Sequence, residues 1–182
     1  AGLVILRTHE SNMYELGGLY KKLPITMVVS IMASLGIAGF PLFNGYVSKV
    51  ILHHAIVEAA TYHSPIFYVA EWIFIAVSAG TVASFLKFNY FIFFGRLKER
   101  FSDLLIKRRS VYLPMMVMAI SLFFIGIFPR FLSDAFFIPM SMAWPFDLDF
   151  TVHGVIDIPY FSLKDLTLTA GIWAGGDRKS TR

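Results

Sequence analysis

Lys49 is the residue whose position most suggests chemistry. It follows a stretch, residues 23–48, that contains no charged side chain, so it falls at the depth of a segment able to cross a bilayer. An ammonium at bilayer depth costs roughly 2.5–3.5 kcal/mol on insertion scales and normally faces the protein interior beside a partner. Burial disfavours the charged form of a lysine, so such an amine can load and release a proton, the requirement for a relay step. The other reading is a side chain that snorkels to a nearby surface. His53 lies one turn after Lys49, and His54 and Glu58 share a helix face at i, i+4. With His63 close behind, these imidazoles could carry protons onward or sit on a solvated helix end. A catalytic metal site needs three convergent ligands, and only two share a face, so no metal set is assigned. Glu71 and Lys87 interrupt the next apolar stretch. Glu71 reads as a relay terminus or an interfacial carboxylate, and Lys87 as a relay group or a side chain reaching the surface near Gly95-Arg96.

The elements that would hold these groups are helices. The segment Gly39-Phe40-Pro41-Leu42-Phe43-Asn44-Gly45 interrupts an otherwise helical apolar pattern. Pro41 cannot donate a backbone hydrogen bond and clashes with the preceding turn, so a helix break is expected at Gly39, Pro41 and Gly45, with Asn44 able to donate and accept within it. Lipid cannot satisfy the freed backbone groups, and such breaks are tolerated only inside protein or beside a wet cavity. Broken helices recur at the ion sites of transporters. The fold class expected is all-α: a polytopic bundle of about three spans, over residues 23–60 (broken), 66–95 and 111–129. Residues 131–182 would form a tail outside the membrane that begins a further, truncated apolar segment.

Composition agrees with a membrane class. Mean hydropathy is +0.66 and 15% of residues are charged, against about a quarter in soluble domains. Cysteine is absent, so no disulfide, thiolate metal site or iron–sulfur cluster arises from this chain. No Gly-rich phosphate loop or nucleophile elbow appears, and neither a cofactor nor catalytic chemistry is assigned. Nucleic acid is an unsuitable partner, because the basic residues cluster where membrane-flanking loops belong. Cytoplasmic loops are enriched in Lys and Arg. Arg7, Lys21 and Lys22 precede the broken segment; Arg96, Lys98, Arg100, Lys107, Arg108 and Arg109 follow the next span; residues 59–65 between them carry neither type. A single crossing of the broken segment puts both basic loops, 7–22 and 96–110, on the cytoplasmic side. The chain starts within an apolar run, and a later one, residues 166–176, stops after 11 residues where a span needs about 20, as expected of a fragment of a longer membrane domain.

Two stretches carry a resemblance. Glu15-Leu16-Gly17-Gly18-Leu19-Tyr20-Lys21-Lys22-Leu23-Pro24, followed by Ala38-Gly39-Phe40-Pro41-Leu42-Phe43-Asn44-Gly45-Tyr46-Val47-Ser48-Lys49, resembles the signature of the proton-conducting antiporter-like subunits. These occur in Mrp-type Na+/H+ antiporters (MrpA, MrpD), respiratory complex I and membrane-bound hydrogenases. Residues from Gly80 through Lys87 to Gly95 resemble the family's thirteenth helix, particularly in MrpD-like members, many of which have Pro where this chain has Asn89. Ile125-Gly126-Ile127-Phe128-Pro129 resembles the end of the fourteenth. The resemblance implies the C-terminal part of a 14-helix fold with two inverted repeats. It implies that Lys49 is the lysine of the second broken helix, where the proton path joins the outward half-channel, and that Lys87 is a basic residue near the cytoplasmic end. The family's glutamate–lysine pair belongs to the first repeat, which this chain lacks, so the fragment alone should not transport ions. The implied function is proton and cation translocation within an Mrp-type antiporter. The alternative is a proton-pumping subunit of NADH:quinone oxidoreductase or a hydrogenase, and an unrelated membrane metalloenzyme is a distant third. The implied partners are lipid, other membrane subunits, H+ and Na+, in the inner (plasma) membrane. In the full-length parent, a Ser102→Cys thiol should react with an impermeant reagent from the cytoplasm and a Ser64→Cys thiol from outside; labelling of both from one side would contradict the single crossing.

Overall fold

The computed structural model describes residues 2–62, 64–101, 111–143 and 160–180. His63, Lys107 to Arg109 and the tail acids Asp147, Asp149 and Asp157 therefore lie outside the described residues. The described residues form helices and turns, with no strand among them. They are α1 (Gly2–Thr8), α2 (Pro24–Ala38), α3 (Asn44–Tyr62), α4 (Phe67–Phe93), α5 (Tyr112–Ile127), α6 (Pro129–Leu132), α7 (Ile138–Ala143) and α8 (Leu163–Ser180).

Local chemistry explains the ends of these helices. Pro24 is the first residue of α2, where its missing N–H is harmless and its fixed φ suits a helix. The end of α2 is a Schellman motif: Phe40 N–H donates to Leu35 O at 2.9 Å and Gly39 N–H to Gly36 O at 3.1 Å, with Gly39 at φ +78°. Pro41 and Leu42 are then the central residues of a turn closed by Phe43 N–H donating to Phe40 O at 3.2 Å. Proline suits the first central position, and the second takes positive φ in a type II turn. Leu42 has φ +74°, a conformation that costs a non-glycine residue on the order of 1–3 kcal/mol unless its surroundings impose it.

Those surroundings are close backbone contacts. A Cβ on Gly45, in the first turn of α3, would lie 1.7 Å from Gly36 O. A Cβ on Gly126, in α5, would lie 2.2 Å from Leu42 O. The absence of these two side chains lets α3 start directly against the end of α2, with α5 laid over the strained turn. Phe43 is buried there and packs edge-on against Phe123 of α5, ring centroids 5.5 Å apart.

Together α2 and α3 run antiparallel along the whole of α4. Leu23 packs with Phe93, Ser30 and Ser34 bond Asn89, Ala38 packs with Val82, and His53 reaches Glu71. The chain before α2 folds back onto the end of α4: Gly18 N–H donates to Phe94 O at 3.3 Å, Lys98 pairs with Glu15, and Leu19 and Leu23 are wholly buried against Phe93 and Phe101. Residues 7–22 and 96–101 thus sit at one end of the bundle.

By length and composition, α4 is the one described helix apolar enough to span a membrane unaided, at 27 residues. That is about 40 Å of helix. Within the apolar stretch 111–129, α5 ends at Ile127, and it meets the helical stretch that begins at Pro129 at 95°. The residue before a proline is pushed out of the helical region, and Phe128 sits at φ −114°, ψ 58° before Pro129. Beyond the bend, α6 and α7 are joined by a π-helical turn, Ser133–Phe137.

Gly45→Ala forces a backbone shift, whereas a Cβ on Gly80 meets nothing within 4 Å. Overpacking typically costs about 1–3 kcal/mol, and Ala in place of Gly inside a helix gains up to about 1 kcal/mol. In melting curves of the detergent-solubilised full-length protein, Gly45→Ala should melt lower and Gly80→Ala no lower than the parent. Equal melting of both variants would mean that the α2–α3 contact does not limit stability.

Candidate functional site

The break leaves the last carbonyls of α2 without helical partners. Lys49 supplies one: its Nζ donates to Ala38 O at 2.9 Å. The negative end of a helix dipole favours a cation at this place, so the end of α2 serves as the counter-charge of the amine. The lysine stem lies over Gly39, where a Cβ would be 2.6 Å from Lys49 Cδ. Gly39 therefore both turns the chain and leaves room for the side chain. Asn44 Oδ1 packs against Gly36 at the mouth of the break, 3.2 Å from the place a Cβ there would occupy.

One turn further along α3 is a second group of polar side chains. His53 is buried, and its Nε2 lies 3.2 Å from Glu71 Oε1 in the first turns of α4. Its Nδ1 faces Asp165 Oδ1 at 3.9 Å, a separation that suits a bridging water rather than a direct bond. His54 Nε2 lies 3.3 Å from Asp165 Oδ2. Asp165 is only 4% exposed and belongs to the first turn of α8, a helix end that favours negative charge. Lys49, His53 and Asp165 line one cleft between α3 and α8, with Gly39 at its edge and about 20 Å³ of space for water. That is room for roughly one molecule. An imidazole between two carboxylates and within water reach of an amine can take a proton at one nitrogen and release it at the other.

The remaining residues singled out in the sequence lie elsewhere. Glu58 is half-buried, one turn beyond His54 on α3. Lys87 is exposed, its Nζ 6.0 Å from the Tyr14 ring centroid and 5.9 Å from that of Phe91. It lies sixteen residues beyond Glu71 on α4, or roughly 24 Å along the helix. Pro41 shapes the turn and touches neither group of polar side chains. Among the described residues no set of three His, Asp or Glu side chains is placed to hold a metal ion.

Sequence analysis gave Asp165 no role; it falls within residues 131–182, read there only as a tail. His54 and Asp165 are 111 positions apart, too far for any periodicity to connect them. The one available signal was an isolated acid opening an apolar run. Missed as well was the Asn89 cluster: its Nδ2 donates to Ser34 Oγ at 2.6 Å and Phe85 O at 2.9 Å, and Ser30 Oγ donates to its Oδ1 at 2.9 Å.

Residues 1–74 match the family described as NADH:quinone oxidoreductase/Mrp antiporter, TM. The chain is 27% identical to the A subunit of the Na(+)/H(+) antiporter of Bacillus subtilis (strain 168), over 94% of this chain and 22% of that protein. It is 31% identical to the A1 subunit of the Na(+)/H(+) antiporter of Staphylococcus saprophyticus, over 78% and 18% respectively. It is 28% identical to NADH-ubiquinone oxidoreductase chain 5 of Metridium senile, over 75% and 22%. The chain thus spans about a fifth of the length of these curated relatives.

If Asp165 holds the start of α8 through the two histidines, Asp165→Ala should raise amide hydrogen exchange over 163–173 while exchange in α2 stays unchanged. An unaltered pattern would mean that Ile172 and its apolar neighbours dock this helix alone.

Proposed function

We propose that this chain, which belongs to the antiporter-like membrane subunit family of Mrp-type antiporters and respiratory complex I, carries the outward arm of a proton path within a Na+/H+ antiporter. The observation that carries this reading is the Lys49 ammonium held on the Ala38 carbonyl at a helix break, beside a cleft that leads to His53. A proton leaving Lys49 reaches His53 through one water, and Glu71 and Asp165 accept it from the imidazole. His54, which faces Asp165, and Glu58 farther along α3 lie towards the exit. Lys87, well removed along α4, acts near the cytoplasmic end and not at this step. The antiparallel run of α2 and α3 along α4 supports one crossing of the membrane by the broken segment, with segments 7–22 and 96–110 both cytoplasmic.

A second reading has its own support, since relatives of similar identity are named as chain 5 of NADH-ubiquinone oxidoreductase. The same path would then serve a redox-driven pump. Both readings require partner subunits and the rest of the parent protein, in a multi-pass arrangement in the plasma membrane. Exposed apolar side chains on α4 and α5, among them Trp72, Val77, Leu113 and Met118, suit lipid or neighbouring helices as partners.

Lysine and arginine separate relay from scaffold, because a guanidinium keeps its proton in proteins. In vesicles containing the full-length, assembled protein, Lys49→Ala and Lys49→Arg should each reduce ion-coupled transport by at least tenfold while the complex still assembles. Transport close to the parent rate in Lys49→Arg would reduce Lys49 to a fixed positive charge, and transport unchanged in Lys49→Ala would end the relay role.

A further inference from the structure

The chain turns sideways where α5 ends. The 16 residues of α5 make about 24 Å of helix, against roughly 30 Å for the hydrocarbon core of a bilayer. Met115, near its start, lines a cleft with Thr26 and Phe93, at the end of the bundle that holds residues 7–22 and 96–101. A helix setting out from that membrane face stops about 6 Å short of the opposite edge of the core. There the chain bends by 95°, and the stretch Pro129–Met140 runs across the bundle rather than along it. An amphipathic helix that lies in the interface plane buries its apolar face about 5–10 Å into the boundary between headgroups and acyl chains, so the bend comes at a fitting depth.

The side chains of this stretch sort into three faces. Pro129 and Ser133, one turn apart, are buried. Ser133 Oγ shares a hydrogen bond of 2.6 Å with the hydroxyl of Tyr160, which packs on Tyr46, Val47 and Val50 of α3. This face fastens the stretch to the bundle. Arg130 and Asp134, also one turn apart, are exposed on a second face. The third face is apolar: Phe131, Phe136 and Met140 are 60%, 56% and 68% exposed. In an unbroken α-helix Phe136 and Met140 would follow Pro129 and Ser133 at helical spacing onto the buried side. The π-helical turn, closed by Ile138 N–H donating to Ser133 O, holds an extra residue and swings them off that side towards Phe131. The Phe131 ring packs on Phe124 of α5 with centroids 6.1 Å apart, and Phe124 packs on Phe128 at 5.2 Å. Phe124 lies within α5, before the bend. The apolar face is therefore turned back along α5, towards the middle of the bilayer, and continues the exposed apolar surface of that helix.

We infer that residues 129–140 are an in-plane membrane anchor, with lipid as the partner. Phe131, Phe136 and Met140 lie among acyl chains and Arg130 and Asp134 among headgroups, on the membrane face opposite residues 7–22 and 96–101. Lipid fits this surface better than a further subunit does. Its apolar side is continuous with the outer surface of α5, it sits at the depth where acyl chains give way to headgroups, and its charged side chains leave on a different side. The anchor holds the bend at a fixed depth, and with it Gly126, whose backbone rests on Leu42 O at the helix break. This inference goes beyond the proton path and does not require Lys49 to carry a proton.

Collision measurements on spin labels test the anchor without relying on transport. The chain has no cysteine, so nitroxides can be attached at single introduced thiols in the full-length complex, with any cysteines elsewhere replaced. In lipid vesicles, collisions with oxygen, which dissolves among acyl chains, are compared with collisions with a water-soluble nickel chelate. Labels at Phe131→Cys, Phe136→Cys and Met140→Cys should show an oxygen-to-nickel ratio several-fold above that at Asp134→Cys. Equal ratios at Phe136→Cys and Asp134→Cys would put the apolar face in water. Exclusion of both reagents from Phe136→Cys and Met140→Cys would put a neighbouring subunit over it. Either result overturns the anchor and leaves the relay reading of Lys49 unaffected. Should Phe131→Cys loosen the bend by losing its contact with Phe124, the labels at 136 and 140 decide.

Discussion

A peptide carbonyl surrounded by hydrocarbon must find a donor, because no water is there to provide one. An unbroken helix meets that demand internally. Here α2 ends in mid-segment, and the requirement passes to whatever lies nearest. Phe40 and Gly39 N–H groups cover two carbonyls through the Schellman bonds, and Lys49 covers Ala38 O. The ammonium has the converse need, a compensating dipole in a place where free charge is costly. Each group satisfies the other. The break and the lysine are thus one structural unit, since removing either leaves an uncompensated polar group.

Helix docking holds that unit in place. Gly45 and Gly126 let α3 and α5 approach the backbone of the break more closely than any side chain would allow. The positive φ of Leu42 persists under this contact. On the far side, α8 presents Asp165 to both histidines. This helix packs chiefly along α4, and Leu166 joins Tyr46 and Val50 of α3 in one apolar cluster. Polar groups inside this apolar bundle are tolerated where they bond one another, as Asn89 does with Ser30 and Ser34 and His53 with Glu71.

Much of the architecture was legible in the residues. An all-helical chain follows from long apolar runs with no charged interruption, and the point of interruption from Gly39-Phe40-Pro41, where one residue cannot continue the ladder and another readily turns it. The end of α5 was less legible. Its apolar run continues through Phe128-Pro129, yet the helix ends at Ile127, because a proline restricts the residue before it. The site was legible only in part. Lys49, His53 and Glu71 declared themselves as ionisable groups in apolar surroundings. Asp165 did not, since it sits among the other acids of the tail, and Asn89 looked like an ordinary polar residue in a family position that often holds proline.

The amino-acid sequence by itself determined the helices, the place where one of them stops, and the presence of an amine just beyond that stop. These are consequences of backbone stereochemistry and of charge against hydrocarbon, both of which act within a few residues. Which groups would meet was decided only by the tertiary structure. Pairing His53 with Glu71, His54 with Asp165, and Asn89 with two serines depends on how closely and at what register separate helices dock. That register is set by contacts between residues far apart in the chain, such as Gly126 against Leu42, and no local pattern encodes it.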